Sequence, residues 1–331
     1  MRHILVIGGA GYVGSYLVRR LLECGYQVRV LDQLIYDNAA SIADLFEQEG
    51  FSFVRGDFYD TGVCTEALHG ITDVVLLAAL VGDPICKKYP ELARKTNLEA
   101  PKKLFDALSG KGLNRFIFTS TCSNYGLRAD DTPADEASEL NPQSLYAESK
   151  VAFEKHVLAN RTKVDFCPTI LRLSTAYGIS PRMRFDLTVS EFTRTLALGR
   201  KLLVFDENTW RPYCHVADIS EAIILTLKSK CETVRGEVFN LGSNAGNLTK
   251  KMILDLITSS LGAGDIEYKR GGSDPRNYRV AFEKIGAALG FQARHSVAGN
   301  VAALAAAIRH GIFNDYEKRQ TFYGNYEILV K

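Results

Sequence analysis

The stretch "SLYAESK" (144–150) places Tyr146 four residues before Lys150. On a helix, residues four apart share a face, so a phenol and an ammonium would stand side by side. Free tyrosine titrates near ~10. A neighbouring cation favours phenolate. A fall of ~3 in that value, about 4 kcal/mol, would give a base usable near neutral pH. Such a pair also arises by chance about once in a chain of this length. The other reading is a helix surface with a spare aromatic, and the surrounding elements decide between them.

The first half alternates short apolar runs with helical patterns. "HILVIGG" (3–9), "QVRVLD" (27–32), "FSFVRGD" (51–57), "DVVLLAA" (73–79) and "RFIFTST" (115–121) read as strands. They are nearly continuous in apolar residues, the pattern of strands covered on both faces. Between them lie segments such as "GSYLVRRLLECG" (14–25), with apolar residues at helical spacing. This alternation predicts an α/β fold: a Rossmann-type, doubly wound parallel sheet with right-handed crossovers. After residue 176 the rhythm loosens. "PRMRFDLTVSEFTRTLALG" reads as helical, followed by "KLLVF", "YCHV", a helix from about 217 and "EVFNLG" (237–242). The remainder, with "LTKKMILDLITSSLG", "IEYKR" and an Ala-rich helix, predicts a smaller mixed α/β substrate domain. We expect residues 1–176, plus about 213–242, to bind the cofactor. Residues of about 177–212 and 243–331 would bind the substrate.

The turn "GGAGYVG" places Gly8, Gly11 and Gly14 at three-residue spacing between a strand and a helix. One glycine permits the tight turn, one admits a pyrophosphate, and one lets the helix pack close to the sheet. The helix N-terminus beginning at Tyr12 and Val13 presents free N–H groups to that pyrophosphate. Asp32 ends the next strand about 20 residues on, where a carboxylate accepts from a ribose 2′-OH and repels a 2′-phosphate. NAD is expected over NADP; a plain turn aspartate is the alternative. Asp57 and Phe58 follow the third strand, and Asp57 is a candidate for the adenine amino group. Leu77, Ala78 and Ala79 supply small side chains where a dinucleotide would cross the sheet edge.

The chain is long enough, at 331 residues, for one large or two smaller domains. Its 46% apolar and 24% charged residues are ordinary for a globular protein. A net charge of +2 without basic blocks argues against a nucleic-acid or membrane surface. Seven scattered cysteines, with no C-x-x-C pair, disfavour a disulfide framework or a metal site. No apolar run approaches the ~20 residues of a membrane span, and the start lacks a secretory cleavage pattern. A cytoplasmic protein is expected.

Together these motifs resemble the extended short-chain dehydrogenases/reductases of the sugar-nucleotide epimerase/dehydratase group, over nearly the full length. The resemblance rests on "GGAGYVG", Asp32, "GD" (56–57), "LAA" (77–79), Asn97, "FTSTCSNYG" (118–126), "YAESK" (146–150), "LRLSTAYG" (171–178), "RPYCHVAD" (211–218) and "FNLG" (239–242). It implies NAD as cofactor, with Asn97 among its binding residues. Tyr146 would be the base, Lys150 would bind the nicotinamide ribose and acidify the phenol, and Thr121 would bond the substrate oxygen. Dehydratases of the group carry Asp-Glu after the threonine; here Cys122 and Ser123 stand there, which disfavours dehydration. By position both would still border the substrate, although Cys122 taken alone reads as packing.

The implied substrate is a nucleoside diphosphate sugar, linked to GDP, UDP or dTDP. Arg211 and Arg276 are candidates for its diphosphate because a guanidinium fork matches phosphate oxygens. Asp274 would lie near a nucleoside ribose. Arg182, Arg184 and Leu187 belong to "ISPRMRFDL" at the cleft entrance, either on the ligand or on a solvated helix start. Thr175 replaces the group's usual asparagine. Gly82 and Asp83 would border the sugar. "AALVGDPICKKYP" (78–90) and "ISPRMRFDL" (179–187) resemble a narrower branch, the C4 dehydrogenases of GDP-manno-heptose. The expected chemistry is C4 oxidation, ending in epimerisation or in release of the ketone. Family analogy also implies a homodimer through helices near 90–110 and 144–160. A non-catalytic dinucleotide-binding protein would have no use for Thr121, Tyr146 and Lys150 together. A reductase of a small ketone would not need Arg211 and Arg276.

Overall fold

The computed structural model describes residues 2–128, 132–272, 274 and 276–329. Its main sheet is built from β1 (His3–Ile7), β2 (Gln27–Asp32), β3 (Phe51–Arg55), β4 (Asp73–Leu76), β5 (Arg115–Thr121), β6 (Cys167–Leu173) and a late strand, β10 (Val238–Leu241). The spatial order is β10-β6-β5-β4-β1-β2-β3, and every pairing is parallel. The chain runs from β1 outward through β2 to β3, then returns to β4 on the other side of β1. That reversal opens a crevice beyond the carboxyl ends of β1 and β4, where α/β sheets of this type bind ligands.

The continuous apolar strands are explained by cover on both faces. On one face lie α1 (Tyr12–Glu23) and a later helix, α8 (Val216–Lys228). Leu17, Val18 and Leu21 of α1 pack with Ile219, Ala222 and Ile223 in one buried cluster. The opposite face carries α2 (Thr61–Leu68), α5 (Ala100–Ala107) and α6 (Leu145–Asn160). There Phe105, Phe116, Phe153 and Phe166 pack with centroids 5.2–6.4 Å apart, mostly edge to face. Two short helices, α3 (Asp83–Lys88) and α4 (Pro90–Arg94), connect β4 to α5.

The second part holds two small sheets. β7 (Thr175–Tyr177) and β11 (Asn247–Thr249) flank β9 (Trp210–His215); β8 (Leu202–Phe205) pairs with β12 (Ile266–Lys269). Their core gathers Val189 and Phe192 of α7 (Thr188–Ala197) with Ile253, Ile257 and Val301 from the helices Lys250–Leu261 and Val297–Arg309. The helix expected from residue 181 starts only at Thr188. Arg182 and Arg184 are buried, at 2% and 7% exposure, and spend their donors outside any helix. No helix among the described residues is long and apolar enough to cross a membrane.

Candidate active site

The crevice widens into a cavity of about 720 Å³, lined from both parts of the chain. Its cofactor side is shaped by glycine. Gly8, at φ +88°, lies so close to β4 that an added Cβ would sit 2.6 Å from Ala78 N. A Cβ on Gly14 would meet Gly8 O at 2.2 Å, so α1 starts hard against the turn. Gly11 caps α1 without a side-chain bond. The amides of Tyr12, Val13 and Gly14 have no helical carbonyl to reach, as at any helix start. They and Gly8 line the cavity. A strip of free amides at the switch point of the sheet fits a dinucleotide pyrophosphate.

Asp32 lines the same wall. It accepts from Ala10 N (3.1 Å) and Leu34 N (2.8 Å), which fixes the carboxylate at the end of β2. Burial pushes its pKa up, against those two bonds. Phe58, Leu77, Ala78 and Ala79 are also on the wall. The Tyr12 phenol is turned away and donates to Gly178 O at 2.6 Å. Two expected cofactor contacts lie off the wall. Asp57 accepts from Lys95 Nζ (3.0 Å) and from Tyr59 N (2.9 Å), which holds it beside α4. Asn97, 1% exposed, clasps the backbone of Leu80, accepting from its N–H at 2.8 Å and donating to its carbonyl at 3.0 Å. It shapes the loop after β4 and does not reach the cavity.

Tyr146 stands in the first turn of α6, whose start is fixed by Ser144 Oγ accepting from Ala147 N. Thr121 ends β5, and its Oγ1 accepts from Ser123 N at 3.1 Å. Thr121, Ser123, Tyr146 and Lys150 share the cavity wall. Lys150 is 2% exposed, donates to Thr119 O at 2.9 Å, and lies 5.7 Å from the centre of the Tyr146 ring. The electrostatics depart from the acidified phenol expected above. Burial pushes the Tyr146 phenol up; Cys86 and Asp83 add to this, and Arg184 and Arg276 oppose it. Burial also lowers Lys150 to about 7, with Glu154 pulling the other way. Desolvation penalises both charged forms. Glu154, one turn beyond Lys150, is itself buried and bonds Arg172, Nη2 to Oε2 at 2.7 Å. Arg172 also donates to Tyr125 at 2.9 Å.

Cys122 does not face the cavity. It is fully buried, its Sγ donates to Arg172 O at 3.2 Å, and burial raises the thiol to about 12. The packing reading holds for it, and its place among the substrate contacts does not.

On the substrate side, Gly82, Asp83, Thr175, Arg182, Arg184, Leu187, Arg211, Asp274 and Arg276 all line the cavity. Arg276 grips Asp274 with two bonds of 2.8 and 2.9 Å. It reaches Ser123 Oγ at 3.2 Å and Asp83 at 3.3 Å. Arg211 pairs with the same Asp274 at 2.9 Å. Burial pushes Asp274 up, but the Arg276 bond and the two positive charges outweigh it, holding the carboxylate well below its usual range. Arg184 is spent on Asp186, with bonds of 2.9 and 2.6 Å. Arg182 stacks 4.6 Å over Tyr36 and donates to Phe322 O and to Asn325 Oδ1.

The partners of Arg182 show what sequence reasoning missed. The segment 325–329 runs from the second part back across the first. Asn325 donates to Val81 O at 2.8 Å and, through its backbone, to Asp186 at 3.2 Å. Glu327 pairs with Lys88, Ile328 is buried beside Tyr36 and Leu80, and Leu329 N donates to Ile35 O. Asn325 and Tyr326 therefore wall the cavity, as does Lys250 beside Arg211. No local motif marks these residues.

Residues 4–242 match the NAD dependent epimerase/dehydratase family. A dTDP-glucose 4,6-dehydratase of an Actinoplanes species is 31% identical over 322 residues, 92% of this chain and 97% of the relative. A UDP-glucose 4-epimerase of Lactobacillus helveticus is 29% identical over 323 residues, 91% and 95% of the two chains. Among solved structures, a dTDP-glucose 4,6-dehydratase from Streptomyces venezuelae with NAD bound superposes with a TM-score of 0.86 at 27% identity, covering 96% of this chain and 99% of that one. The chain is an enzyme of the NAD dependent epimerase/dehydratase family.

Proposed function

We propose that the protein oxidises C4 of a nucleoside diphosphate sugar, as a 4-epimerase or a 4-dehydrogenase. The observation that carries this reading is a single cavity lined by Thr121, Tyr146 and Lys150 together with the cations Arg211 and Arg276. Gly8, Gly11, Asp32 and the first amides of α1 would hold NAD. When bound, NAD supplies the hydride acceptor and, on its oxidised ring, a positive charge beside the phenol. Tyr146 Oη takes the proton from O4 of the sugar. Thr121 Oγ1 already accepts from Ser123 N, so its own proton is free to bond O4 and steady the developing charge. Lys150, fixed by Thr119 O, orients toward the ribose and the phenol. Arg211, Arg276 and Lys250 oppose the diphosphate charge.

Loss of water from C5 and C6 is a second reading, favoured by the dehydratase relatives. It needs an acid and a base after Thr121. Cys122 is turned into the core and Ser123 is a hydroxyl, so we favour oxidation without dehydration. The segments at 78–90 and 179–187 support a GDP-linked heptose as substrate, in surface-polysaccharide biosynthesis. The same reading assigns residues 1–176 with 213–242 to NAD and the rest to the sugar nucleotide. It takes the enzyme as a cytoplasmic homodimer pairing through the helices near 90–110 and near 144–160.

Mass spectrometry of the co-purifying nucleotide, then NMR of the product made from the matching sugar nucleotide, tests the proposal. A C4 epimer or a 4-ketone is expected. A 4-keto-6-deoxy product would transfer the assignment to dehydration, and no reaction at C4 would end it.

A further inference from the structure

The segment 325–329, which no motif marks, lies across the crevice rather than beside it. Asn325 Nδ2 donates to Val81 O at 2.8 Å, in the loop after β4. Leu329 N donates to Ile35 O at 2.8 Å, in the loop after β2. Between these two ties, Glu327 pairs with Lys88 and accepts from the Tyr89 hydroxyl at 3.1 Å. Ile328 is the plug, buried in one cluster with Tyr36, after β2, and with Leu80 and Ile85, after β4. Its neighbours Tyr326 and Leu329 are 42% and 46% exposed. One buried side chain and a few bonds at the rim therefore fasten residues 326–329. That is the makeup of a unit that opens locally while the rest stays folded.

In the sheet, β1 lies between β4 and β2. The proposed NAD site follows the same strands. Asp32 ends β2 for the ribose, and the glycine turn at 8–14 follows β1 for the pyrophosphate. Lys150, bonded to Thr119 O of β5, marks the nicotinamide end. A chain tied to the loops after β2 and β4 spans these strands and crosses the line of the cofactor at the turn after β1. Ile35, Val81, Lys88, Asn325 and Tyr326 all line the cavity, so the segment bounds the space that the cofactor would fill.

We propose that residues 325–329 are a strap closed over bound NAD, and that the cofactor is released only when the strap lifts from Ile35 and Val81. This rests on the NAD placement above. A strap that stays shut across turnovers favours the 4-epimerase form of the proposed function. There the hydride goes back to C4 and the proton on Tyr146 back to O4, and no cofactor has to leave. A dehydrogenase that exchanges its cofactor at each turn needs the strap to open each time.

The test loads the full-length protein with isotopically labelled NAD, adds a large excess of unlabelled NAD, and follows the label that stays with the protein. Ile328→Asp puts a charge into the apolar cluster and is expected to speed release at least about tenfold. Glu327→Ala cuts the exposed latch to Lys88 and Tyr89 and should speed it about two- to fivefold. Ile328→Leu keeps a plug of similar volume and recovers most of the retention. One labelled NAD per chain at the start shows that a variant folds. Release at the wild-type rate in Ile328→Asp, or in Glu327→Ala should the aspartate variant fail to fold, overturns the inference while leaving the NAD site in place. Wild-type release complete within the mixing time does so as well. A wild type that holds no labelled NAD overturns the NAD placement itself, and this inference with it.

Discussion

Replacing Lys150 with methionine is expected to raise stability near neutral pH while abolishing activity. Lys150 is 2% exposed, and burial lowers it from 10.5 to about 7. At ~1.4 kcal/mol per tenfold, that drop corresponds to roughly 5 kcal/mol of folded-state preference for the neutral amine. In the unfolded chain the amine stays charged to about pH 10.5, so between about 7 and 10.5 the unfolded chain holds more protons and stability rises with pH. At pH ~7 the folded protein carries about 4 kcal/mol of this penalty, of which roughly 1–2 kcal/mol is relieved by pH ~8.5. Methionine fills a similar volume without a charge. It also leaves Thr119 O without its donor, a cost of about 1–3 kcal/mol. The net expectation is a gain of about 1–3 kcal/mol near pH ~7 that shrinks by about 1–2 kcal/mol at pH ~8.5, read by urea unfolding of both proteins. A variant less stable than wild type at the lower pH, or a gap that ignores pH, would refute the reasoning: the ammonium would then be stabilised where it stands.

Asp32→Ala removes the carboxylate at the end of β2, and the ratio of NAD to NADP affinity should fall; an unchanged ratio would remove its ribose role. Gly14→Ala puts a Cβ 2.2 Å from Gly8 O, so it should destabilise by at least about 2 kcal/mol and weaken NAD binding, both measurable by thermal melts with and without cofactor. Asn325→Ala unties Val81 and takes an acceptor from Arg182, at about 1–3 kcal/mol by urea unfolding.

Much of the fold was legible because its signals are local. Continuous apolar strands, a glycine turn after β1 and Asp32 at the end of β2 mark a nucleotide-binding sheet whatever follows. Tyr146 and Lys150 were legible through their spacing, and Thr121 through its likeness to a known motif. What stayed hidden depends on distant partners. Arg182 and Arg184 read either as ligand contacts or as solvated charges at a helix start; both line the cavity, but one is clasped by the C-terminal segment and the other by Asp186. Asn97 and Asp57 have the right chemistry to touch a cofactor, yet Leu80 and Lys95 claim them first. The phenol could not be judged from a neighbouring lysine alone, because the burial that brings the pair together also disfavours both charges. The strap at 325–329 crosses between clusters far apart in the chain, and no spacing rule anticipates it.

The central claim is that the Tyr146 phenol takes the sugar proton as the hydride leaves C4. The most direct measurement compares wild type and Tyr146→Phe, NAD-loaded, for turnover of the sugar nucleotide identified by product NMR, with the Kd of that sugar nucleotide measured alongside. The prediction is a loss of about 10²-fold or more in turnover with sugar-nucleotide and NAD binding retained. Turnover at the wild-type rate in the phenylalanine variant would contradict it.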